Sequence, residues 1–328
     1  MTIKVLHVTE SFGGGVTSAI NTYVACAGQF QHYLFATIRI SDVTGEEDAG
    51  KLDEIYLVPR RLKSLMKFMR VVQDLNPDVI HLHSSYAGFI VRLLPFISRS
   101  KIVYTPHAFA FLRDQNPIIL KIYYFIEWLL AKRTKVIAGC GKDEQILAQN
   151  FKGVESTVEL INICGELKVT VDDILRGCKP VVVMVGRISP QKGFRFFADV
   201  ASGFGSEVDF KWIGSGEREG VDILEAAGVT VTGWISREEV LSSLSSADLY
   251  FHTAAWDGFP ISVLEASQLE IPTILRAIGP FSAENLSVVD NVESAADEIR
   301  KFIAGDKDTV SIAHRNSSSI RSYHTEER

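Results

Sequence analysis

The sequence predicts an α/β protein built from two doubly wound domains, each with a parallel sheet covered by helices. Short β-branched runs alternate with amphipathic helical patterns along the whole chain, which is typical of parallel strands joined by helical crossovers. A length of 328 residues with 46% hydrophobic residues suits about two domains with sizeable cores. Because both halves show the same alternation, we expect one Rossmann-like sheet in each.

The predicted strands are short apolar runs bounded by turn residues. In the first half they are 3–8, 33–38, 55–58, 79–83, 102–105, 136–138 and 157–161, and in the second half 181–185, 209–213, 229–232, 249–252 and 273–275. Ligands of doubly wound sheets bind at the carboxyl ends of the strands. The residues that follow the strands are therefore the candidates for a functional site.

The same pattern predicts the domain boundaries. Residues 1–165 form the first domain, and 180–305 form the second. The intervening segment 166–179 has little continuous apolar pattern and is predicted to be a linker. The tail 306–328 is polar and basic, and we expect it either to pack back on the first domain or to fray.

Cysteines and apolar runs indicate the compartment. The four cysteines form no C-x-x-C pair, which argues against a zinc site and a disulfide framework and suits a reducing cytoplasm. The chain runs directly into a strand at its start, so no signal peptide is expected. The longest apolar run, 118–131, contains Lys121 and Glu127 and is too short to span a bilayer. We expect a cytoplasmic protein.

Charge is unevenly distributed along the chain. The formal net charge is −6, yet residues 60–135 carry 13 Lys or Arg against four acids. Aromatic residues are interleaved with these cations, which predicts a peripheral surface for anionic lipid on the inner face of the plasma membrane. The alternative is that the aromatics belong to the core and the charges are merely solvated. No nucleic-acid motif is present, so nucleic acid is not an expected partner. The aromatics are Phe68, Phe89, Phe96, Phe109, Phe111, Tyr123, Tyr124, Phe125 and Trp128.

A phosphate site is predicted after strand 181–185. Gly186 and Arg187 end that strand, and Lys192 and Gly193 precede a helical run. Arg187 offers a fork to two phosphate oxygens and Lys192 a point charge, each worth roughly 1.5 to 3 kcal/mol in a charge-assisted bond. The alternative is a solvated pair that caps a strand-to-helix connection.

A second motif joins an anion site to polyol binding. Asp257, Gly258, Phe259 and Pro260 lead into a short apolar helix that carries Glu265. Pro260 suits the first helical position, and the free N–H groups there favour an anion. Glu265 can accept hydrogen bonds from sugar hydroxyls, and a turn followed by a helix would point both acids toward one pocket. An anion beside a polyol describes a nucleotide sugar.

With these two motifs the chain resembles the retaining glycosyltransferases of the GT-B fold, family 4. In that family an acid, seven residues and a Glu mark the donor site, here Asp257 to Glu265, and G-R-x-x-x-x-K-G binds the donor diphosphate, here residues 186–193. The resemblance implies two domains that face each other across a cleft. The chain departs from the family at Asp257, usually Glu, at residues 162–165, usually Asn-Gly-(Ile/Val)-Asp, and at Glu270, usually Gly.

Two glycine loops complete the predicted donor site. Gly13, Gly14 and Gly15 follow the first strand and allow close approach of a phosphate or a sugar. The dinucleotide fingerprint would need a further glycine where Ser18 stands, so an NAD site is disfavoured. Gly214 opens a second loop, which is predicted to cradle the nucleotide side of the donor.

Histidines are the remaining candidates in the first half. His107 follows a strand, and the resemblance implies that it hydrogen-bonds the donor sugar. His83, at the end of its own strand, is predicted to line the acceptor side. His81 and His83 project to the same side of a strand and suggest a metal together with His107, but no nearby acid completes a ligand set. We therefore predict no metal.

The sequence predicts a metal-independent retaining hexosyltransferase that needs no cofactor. Arg187 and Lys192 are expected to stabilise the departing nucleoside diphosphate in place of Mg²⁺. The resemblance implies that Asp257 holds sugar hydroxyls and Glu265 the ribose. A UDP-sugar is the favoured donor and a GDP-sugar the alternative, with a lipid-linked glycan of bacterial surface polysaccharide as acceptor. Two other readings stay open: an NAD-dependent oxidoreductase, and a catalytically silent glycosyltransferase-like subunit.

Overall fold

The chain folds into two compact units. The computed structural model describes residues 2–38, 52–61, 63–165, 167 and 179–327. Contacts divide the chain into Met1–Ile163 and Cys164–Arg328. This division lies two residues before the predicted end of the first domain at residue 165. Most of the predicted linker 166–179 lies outside the described residues.

The first unit is built on a seven-stranded parallel sheet. The spatial order is β3-β2-β1-β4-β5-β6-β7, so the winding reverses between β1 and β4. Such a reversal is the switch point of a doubly wound sheet, where ligands bind at the carboxyl ends of the strands. The strands are β1 (Lys4–Thr9), β2 (Gln31–Ile38), β3 (Glu54–Pro59), β4 (Val79–His83), β5 (Ile102–Thr105), β6 (Val136–Gly139) and β7 (Ser156–Glu159).

Helices cover this sheet and bury its apolar strands. Residues such as Leu6, Ile80 and Leu82 are fully buried, as expected for strands covered on both faces. Two short 3₁₀ turns lie at Arg99–Lys101 and Ala110–Leu112. The α-helices are α1 (Gly15–Cys26), α2 (Lys63–Leu75), α3 (Ser85–Arg92), α4 (Pro117–Ala131) and α5 (Lys142–Ala148).

The second unit repeats the plan with a six-stranded parallel sheet. Its order is β10-β9-β8-β11-β12-β13, and the winding reverses between β8 and β11. The strands are β8 (Val181–Val185), β9 (Asp209–Ile213), β10 (Thr230–Val231), β11 (Leu249–His252), β12 (Thr273–Arg276) and β13 (Val288–Val289). The helices are α6 (Phe194–Ala201), α7 (Arg218–Ala226), α8 (Arg237–Ser245), α9 (Ile261–Gln268), α10 (Gly279–Ala283), α11 (Val292–Ile303) and α12 (Lys307–Tyr323).

The predicted fold class is confirmed, because every predicted strand is present and both sheets are doubly wound. Strand β13 was not predicted. It comprises only Val288 and Val289, and two residues cannot show the alternation from which strands are recognised.

The tail does not fray, because most of it forms helix α12, which contacts assign to the second unit. Helix α12 packs on the second unit, where Asn316 Nδ2 donates to the carbonyls of Thr273, at 3.2 Å, and Ser287, at 2.9 Å. Asn316 Oδ1 accepts from the Ser287 amide at 3.0 Å. His324, just past the helix, lies 3.0 Å from Glu284. These buried polar contacts fix the helix on β12 and the turn before β13.

A buried ion pair joins α3 to α4 in the first unit. The Arg92 guanidinium donates to Glu127 Oε2 at 2.7 Å and to the Gly88 carbonyl at 2.8 Å. Tyr104 lies under the guanidinium at 4.0 Å and donates its hydroxyl to Glu127 Oε1 at 3.0 Å. Both charged side chains are buried. Removal of either partner would leave an uncompensated charge in the core.

We expect Glu127→Ala to lower the free energy of unfolding by about 3 to 5 kcal/mol, because it strands the buried Arg92 cation. Chemical denaturation measures the change. Glu155→Ala is the matched control, since Glu155 is an exposed acid 3.9 Å from Arg99 and its loss should leave the midpoint unchanged. Equal midpoints for the two variants would contradict a structural role for the pair.

Candidate active site

The two predicted donor motifs meet at the switch point of the second sheet. Strands β8 and β11 are neighbours, with Leu249 paired to Val182 and Tyr250 to Val183. The loop 186–193 follows β8, and the loop 253–260 follows β11. Both loops therefore leave the same edge of the sheet, where doubly wound domains bind their ligands.

Hydrogen bonds and an ion pair join these loops. Thr253 Oγ1 donates to the Lys192 carbonyl, and the Ala255 amide donates to the Gln191 carbonyl, both at 2.9 Å. The Lys192 ammonium group forms an ion pair with the Asp257 carboxylate. Both charged side chains are only partly exposed, at 20% and 14%. The phosphate motif and the acid motif thus form one polar cluster.

Gly193 is required by this close approach. Its φ is +70°, and a Cβ at this position would lie 2.0 Å from the Thr253 carbonyl oxygen. A side chain would force the two loops apart and would also strain the backbone. The last position of the G-R-x-x-x-x-K-G motif therefore requires glycine for steric reasons.

Arg187, unlike Lys192, has no side-chain partner among the described residues. Its side chain is exposed and forms no hydrogen bond or ion pair within the part of the chain that the structure describes. Gly186 before it has a φ of +155°, and its carbonyl accepts from the Trp212 indole at 2.8 Å. A Cβ on Gly214 would lie 2.2 Å from that carbonyl oxygen, so the second glycine loop packs directly on the first.

The segment that leads into α9 differs from the prediction by one residue. Pro260 is the N-cap, with φ −72° and ψ 128°, and the helix begins at Ile261. A proline before the first turn still leaves the helix amides directed at the loop. The Phe259 side chain is buried against Phe281 and His324, with ring centroids 5.8 and 3.9 Å away. Only the Phe259 backbone can serve the site.

Glu265 is held by a residue that the sequence reading missed. The Glu265 side chain is buried, and Oε1 lies 2.6 Å from a guanidinium nitrogen of Arg237, at the start of α8. Burial raises the pKa of Glu265, while the Arg237 cation opposes that shift. Asp257 and Glu265 therefore pair with different cations, Lys192 and Arg237. Each acid of the predicted motif thus has its own counter-ion within the second unit.

In the first sheet the glycine loop follows β1, at the switch point, and His107 follows β5, the strand next to β4. Gly14, with φ +60°, is the N-cap of α1 after β1, and both it and Gly15 are exposed. His107 and Ala108 also have positive φ, 49° and 75°, an uncommon state for residues with a side chain. Buried Glu144 stabilises this turn by accepting from the Ala108 amide at 2.5 Å.

The prediction that His83 lines the acceptor side is wrong. His83 is fully buried and lies between His107 and His7, with nitrogen-to-nitrogen distances of 3.1 and 3.0 Å. Its ring can orient His107 but cannot contact an acceptor. Burial lowers the pKa of His107 to about 4, so its ring is neutral at pH 7.

Comparisons with known families agree with this arrangement. Residues 12–162 match the model described as Glycosyltransferase Family 4, and residues 179–305 match Glycosyl transferases group 1. The chain belongs to this glycosyltransferase family. Membership decides against the oxidoreductase reading.

Relatives in sequence support the assignment, and a solved structure agrees with the fold. An uncharacterized 41.2 kDa protein in the cps region of Klebsiella pneumoniae is 29% identical over 307 residues, 84% of this chain and 81% of the relative. The Escherichia coli UDP-Gal:alpha-D-GlcNAc-diphosphoundecaprenol alpha-1,3-galactosyltransferase is 25% identical over 66% of this chain, which spans 62% of that relative. Anabaena HepE, solved with UDP-glucose, has a TM-score of 0.76 and 18% identity over 98% of this chain and 95% of its own. The last likeness shows the GT-B fold alone.

In this glycosyltransferase, Arg276 and His252 also lie beside the loop 186–193. Neither residue was predicted from the sequence. Arg276, at the end of β12, donates to the Thr253 carbonyl at 3.1 Å. His252, at the end of β11, is fully buried, and neither ring nitrogen has a partner among the described residues. Burial, with Lys192 and Arg276 nearby, holds the pKa of His252 well below its usual value. Their strand-end positions are the signal that could have found them.

We expect Arg237→Ala to raise the pKa of Glu265 further, because the variant removes the cation that opposes burial. The carboxyl would then take up its proton at a higher pH than in the wild type. Carbon-13 NMR of labelled glutamate, assigned with Glu265→Gln, measures the titration. Arg237→Lys keeps the charge and serves as the control. An unchanged titration in Arg237→Ala would show that the ion pair does not stabilise the carboxylate.

Proposed function

We propose that this glycosyltransferase is a metal-independent retaining hexosyltransferase that uses a nucleoside diphosphate sugar, with a UDP-sugar as the favoured donor. The observation that carries the proposal is the Lys192–Asp257 ion pair at the β8–β11 switch point, in a loop that also carries exposed Arg187. Arg187 and Lys192 supply positive charge for a diphosphate, and Asp257 supplies a carboxylate beside Lys192 for sugar hydroxyls.

The chemistry follows from where charge develops. As the sugar leaves, negative charge grows on the departing diphosphate, and fixed cations stabilise it most in the transition state. The exposed Arg187 guanidinium can donate two parallel hydrogen bonds to phosphate oxygens. Lys192, which pairs with Asp257, contributes a point charge. These residues do the work that Mg²⁺ does in other transferases.

Asp257 and Glu265 bind hydroxyls at the two ends of the donor. We assign the sugar hydroxyls to Asp257, together with the backbone of Gly258 and Phe259, and the ribose to Glu265. Arg237 occupies Glu265 Oε1 and so fixes the carboxylate orientation. Glu265 Oε2 is then the oxygen for the ribose. Gly214, packed on Gly186, borders the nucleotide side.

A lipid-linked glycan is the acceptor that the relatives favour. The Escherichia coli relative is named for a UDP-Gal donor and a diphosphoundecaprenol-linked acceptor, and the Anabaena structure contains UDP-glucose. By this likeness we propose a role in bacterial surface polysaccharide synthesis, with the protein at the inner face of the plasma membrane.

Helix α4 offers a face for that membrane. Four apolar residues on one side of the helix are 48 to 68% exposed: Ile118, Ile122, Phe125 and Leu129. Their spacing of four, three and four positions forms one stripe. Exposed Leu93 and Phe96 follow α3, which packs on α4. A helix with an apolar stripe of this kind lies in the interface plane of a bilayer, with the stripe facing the acyl chains. None of the helices described here has the length and hydrophobicity to cross a bilayer.

Burial excludes some residues of the segment 60–135 from the proposed membrane surface. Arg92 is buried in its ion pair, and Phe68 and Phe109 belong to the core, so these residues do not face lipid. The exposed cations on and near α4 are Arg113, Lys121 and Lys132. Each contributes about 1 kcal/mol near an anionic surface. The proposed surface is therefore the α4 stripe with these three cations.

We expect Lys192→Ala and Arg187→Ala to lower turnover by roughly 10² to 10³, because each removes a cation matched to the developing phosphate charge. Steady-state transfer from a radiolabelled UDP-sugar measures the loss. The control is Lys301→Ala, which removes an exposed cation of α11 paired to Asp297. Normal kinetics in both site variants would overturn the diphosphate assignment.

Activity is expected to persist in EDTA, because Arg187 and Lys192 supply the positive charge at the leaving group. Transfer is measured before and after exhaustive chelation, with added Mg²⁺ and Mn²⁺ as a separate arm. Full loss on chelation, restored by either ion, would contradict the metal-independent mechanism.

We expect the triple variant Ile118→Ser, Ile122→Ser and Phe125→Ser to lose most sedimentation with vesicles that contain anionic lipid, since it removes the apolar stripe. Salt should release the wild type only in part, because the cations contribute but the stripe resists salt. Ile146→Ser, at a 47% exposed position on α5, is the control. Equal sedimentation of the triple variant and the wild type would refute the surface.

A further inference from the structure

Four histidines of the first unit form a continuous hydrogen-bonded chain through its core. His107 Nε2 lies 3.1 Å from His83 Nδ1, and His83 Nε2 lies 3.0 Å from His7 Nδ1. His7 Nε2 lies 3.1 Å from His32 Nδ1, and His32 Nε2 lies 2.9 Å from the Ala27 carbonyl oxygen. Each contact therefore joins the Nε2 atom of one histidine to the Nδ1 atom of the next, and the last joins His32 Nε2 to the Ala27 carbonyl oxygen.

The sheet places these rings at even spacing. β1 lies between β2 and β4, so His7 has His32 on one side and His83 on the other. Ring centroids are 5.3 Å apart in each of the three histidine pairs, and the planes of neighbouring rings are inclined by 23 to 27°. The chain thus crosses the switch point and ends at His107.

The Ala27 carbonyl gives the chain a direction. A carbonyl oxygen only accepts, so His32 must carry its proton on Nε2. A neutral imidazole has one donor and one acceptor nitrogen, so in the neutral form of His32 its Nδ1 accepts from His7 Nε2. The same step repeats at His83 and then at His107. Each histidine donates through Nε2 and accepts through Nδ1.

Burial keeps the rings of His7, His83 and His107 in the neutral form. Desolvation holds the pKa of His7 and of His83 well below the usual value, and neighbouring histidines lower both further. Burial lowers the pKa of His107 to about 4. Each of these three rings therefore carries a single proton near pH 7. Its position is then set by hydrogen bonding alone.

We propose that His83, His7 and His32 are positioning residues that fix His107 in the Nε2–H tautomer, with Nδ1 as a hydrogen-bond acceptor for a donor-sugar hydroxyl. No described residue hydrogen-bonds to His107 Nδ1. The identity of the hydroxyl rests on the proposed function, but the tautomer does not. His32 sets the polarity, because a proton on His32 Nδ1 would reverse every bond and turn His107 Nδ1 into a donor.

A metal ion is the competing use of this cluster. The ligand atoms of His7, His81 and His83 lie within 4.8 Å of one another. Both nitrogens of His7 and of His83 already belong to the histidine chain, and His81 Nε2 lies 2.8 Å from Thr105 Oγ1. A bound metal would take lone pairs that the chain uses. Metal binding and the proposed tautomers therefore exclude each other.

Nitrogen-15 NMR of the histidine-labelled full-length protein tests the tautomers directly. Long-range proton–nitrogen spectra distinguish a protonated from an unprotonated ring nitrogen, and single substitutions assign the signals. The proposal expects protonated Nε2 and unprotonated Nδ1 at His7, His32, His83 and His107. A protonated Nδ1 at His107, or shifts on addition of stoichiometric Zn²⁺ to these rings, would overturn it.

Variants at His32 test the coupling to donor binding. His32→Phe removes the acceptor that fixes the polarity, so we expect mixed tautomers at His107 and a roughly two- to tenfold rise in donor Kd. His32→Asn keeps an acceptor at the Nδ1 position and should restore one tautomer and the affinity. His81→Phe, at a buried histidine outside the chain, controls for packing. A Kd change in His81→Phe equal to that in His32→Phe would show a packing effect alone.

The two readouts separate this inference from the proposed function. The expected tautomers without binding of any nucleotide sugar would leave the chain intact and refute the donor role. Tight donor binding with the opposite tautomer at His107 would refute the chain and leave the donor role. If His32→Phe does not fold, the wild-type spectrum still decides.

Discussion

The close approach of the loops that follow β8 and β11 is the constraint on which the proposed active site depends. Gly193 has room only for a hydrogen atom against the Thr253 carbonyl, and this contact brings Lys192 to Asp257. The Thr253 carbonyl also accepts a hydrogen bond from Arg276. Residues at the carboxyl ends of β8, β11 and β12 therefore meet at this carbonyl group. A doubly wound sheet supplies this convergence because its winding reverses between β8 and β11. The specific residues then decide that the convergent edge is cationic.

Charge balance stabilises the cations and acids of this site. Lys192 has Asp257 as a counter-ion and buried Glu265 has Arg237, so neither charge is left unpaired. Exposed Arg187 needs no counter-ion because water solvates it. A donor diphosphate would compete with Asp257 for Lys192 and release that carboxylate for sugar hydroxyls. In the first unit, burial keeps His7, His83 and His107 uncharged, and hydrogen bonds orient them.

Local patterns could be predicted from the sequence, whereas long-range pairing could not. The strands and the motifs at 186–193 and 257–265 depend on neighbours within a few positions, so their residues show them directly. Arg237 and Glu265 are paired only because α8 and α9 pack side by side, and nothing in either segment indicates it. The burial of His83 and Arg92 likewise depends on residues far away in sequence. The docking of α12 rests on Asn316, a polar residue that reads as exposed until its buried partners are known.

The central claim is that the β8–β11 switch point binds the diphosphate of a nucleotide-sugar donor. Isothermal titration of the wild type with uridine, UMP and UDP, and with the guanosine series, tests it most directly. Each charge-assisted hydrogen bond contributes roughly 1.5 to 3 kcal/mol, so the account predicts at least about tenfold tighter binding of one nucleoside diphosphate than of its monophosphate. Equal affinity for nucleoside, monophosphate and diphosphate in both series would contradict it.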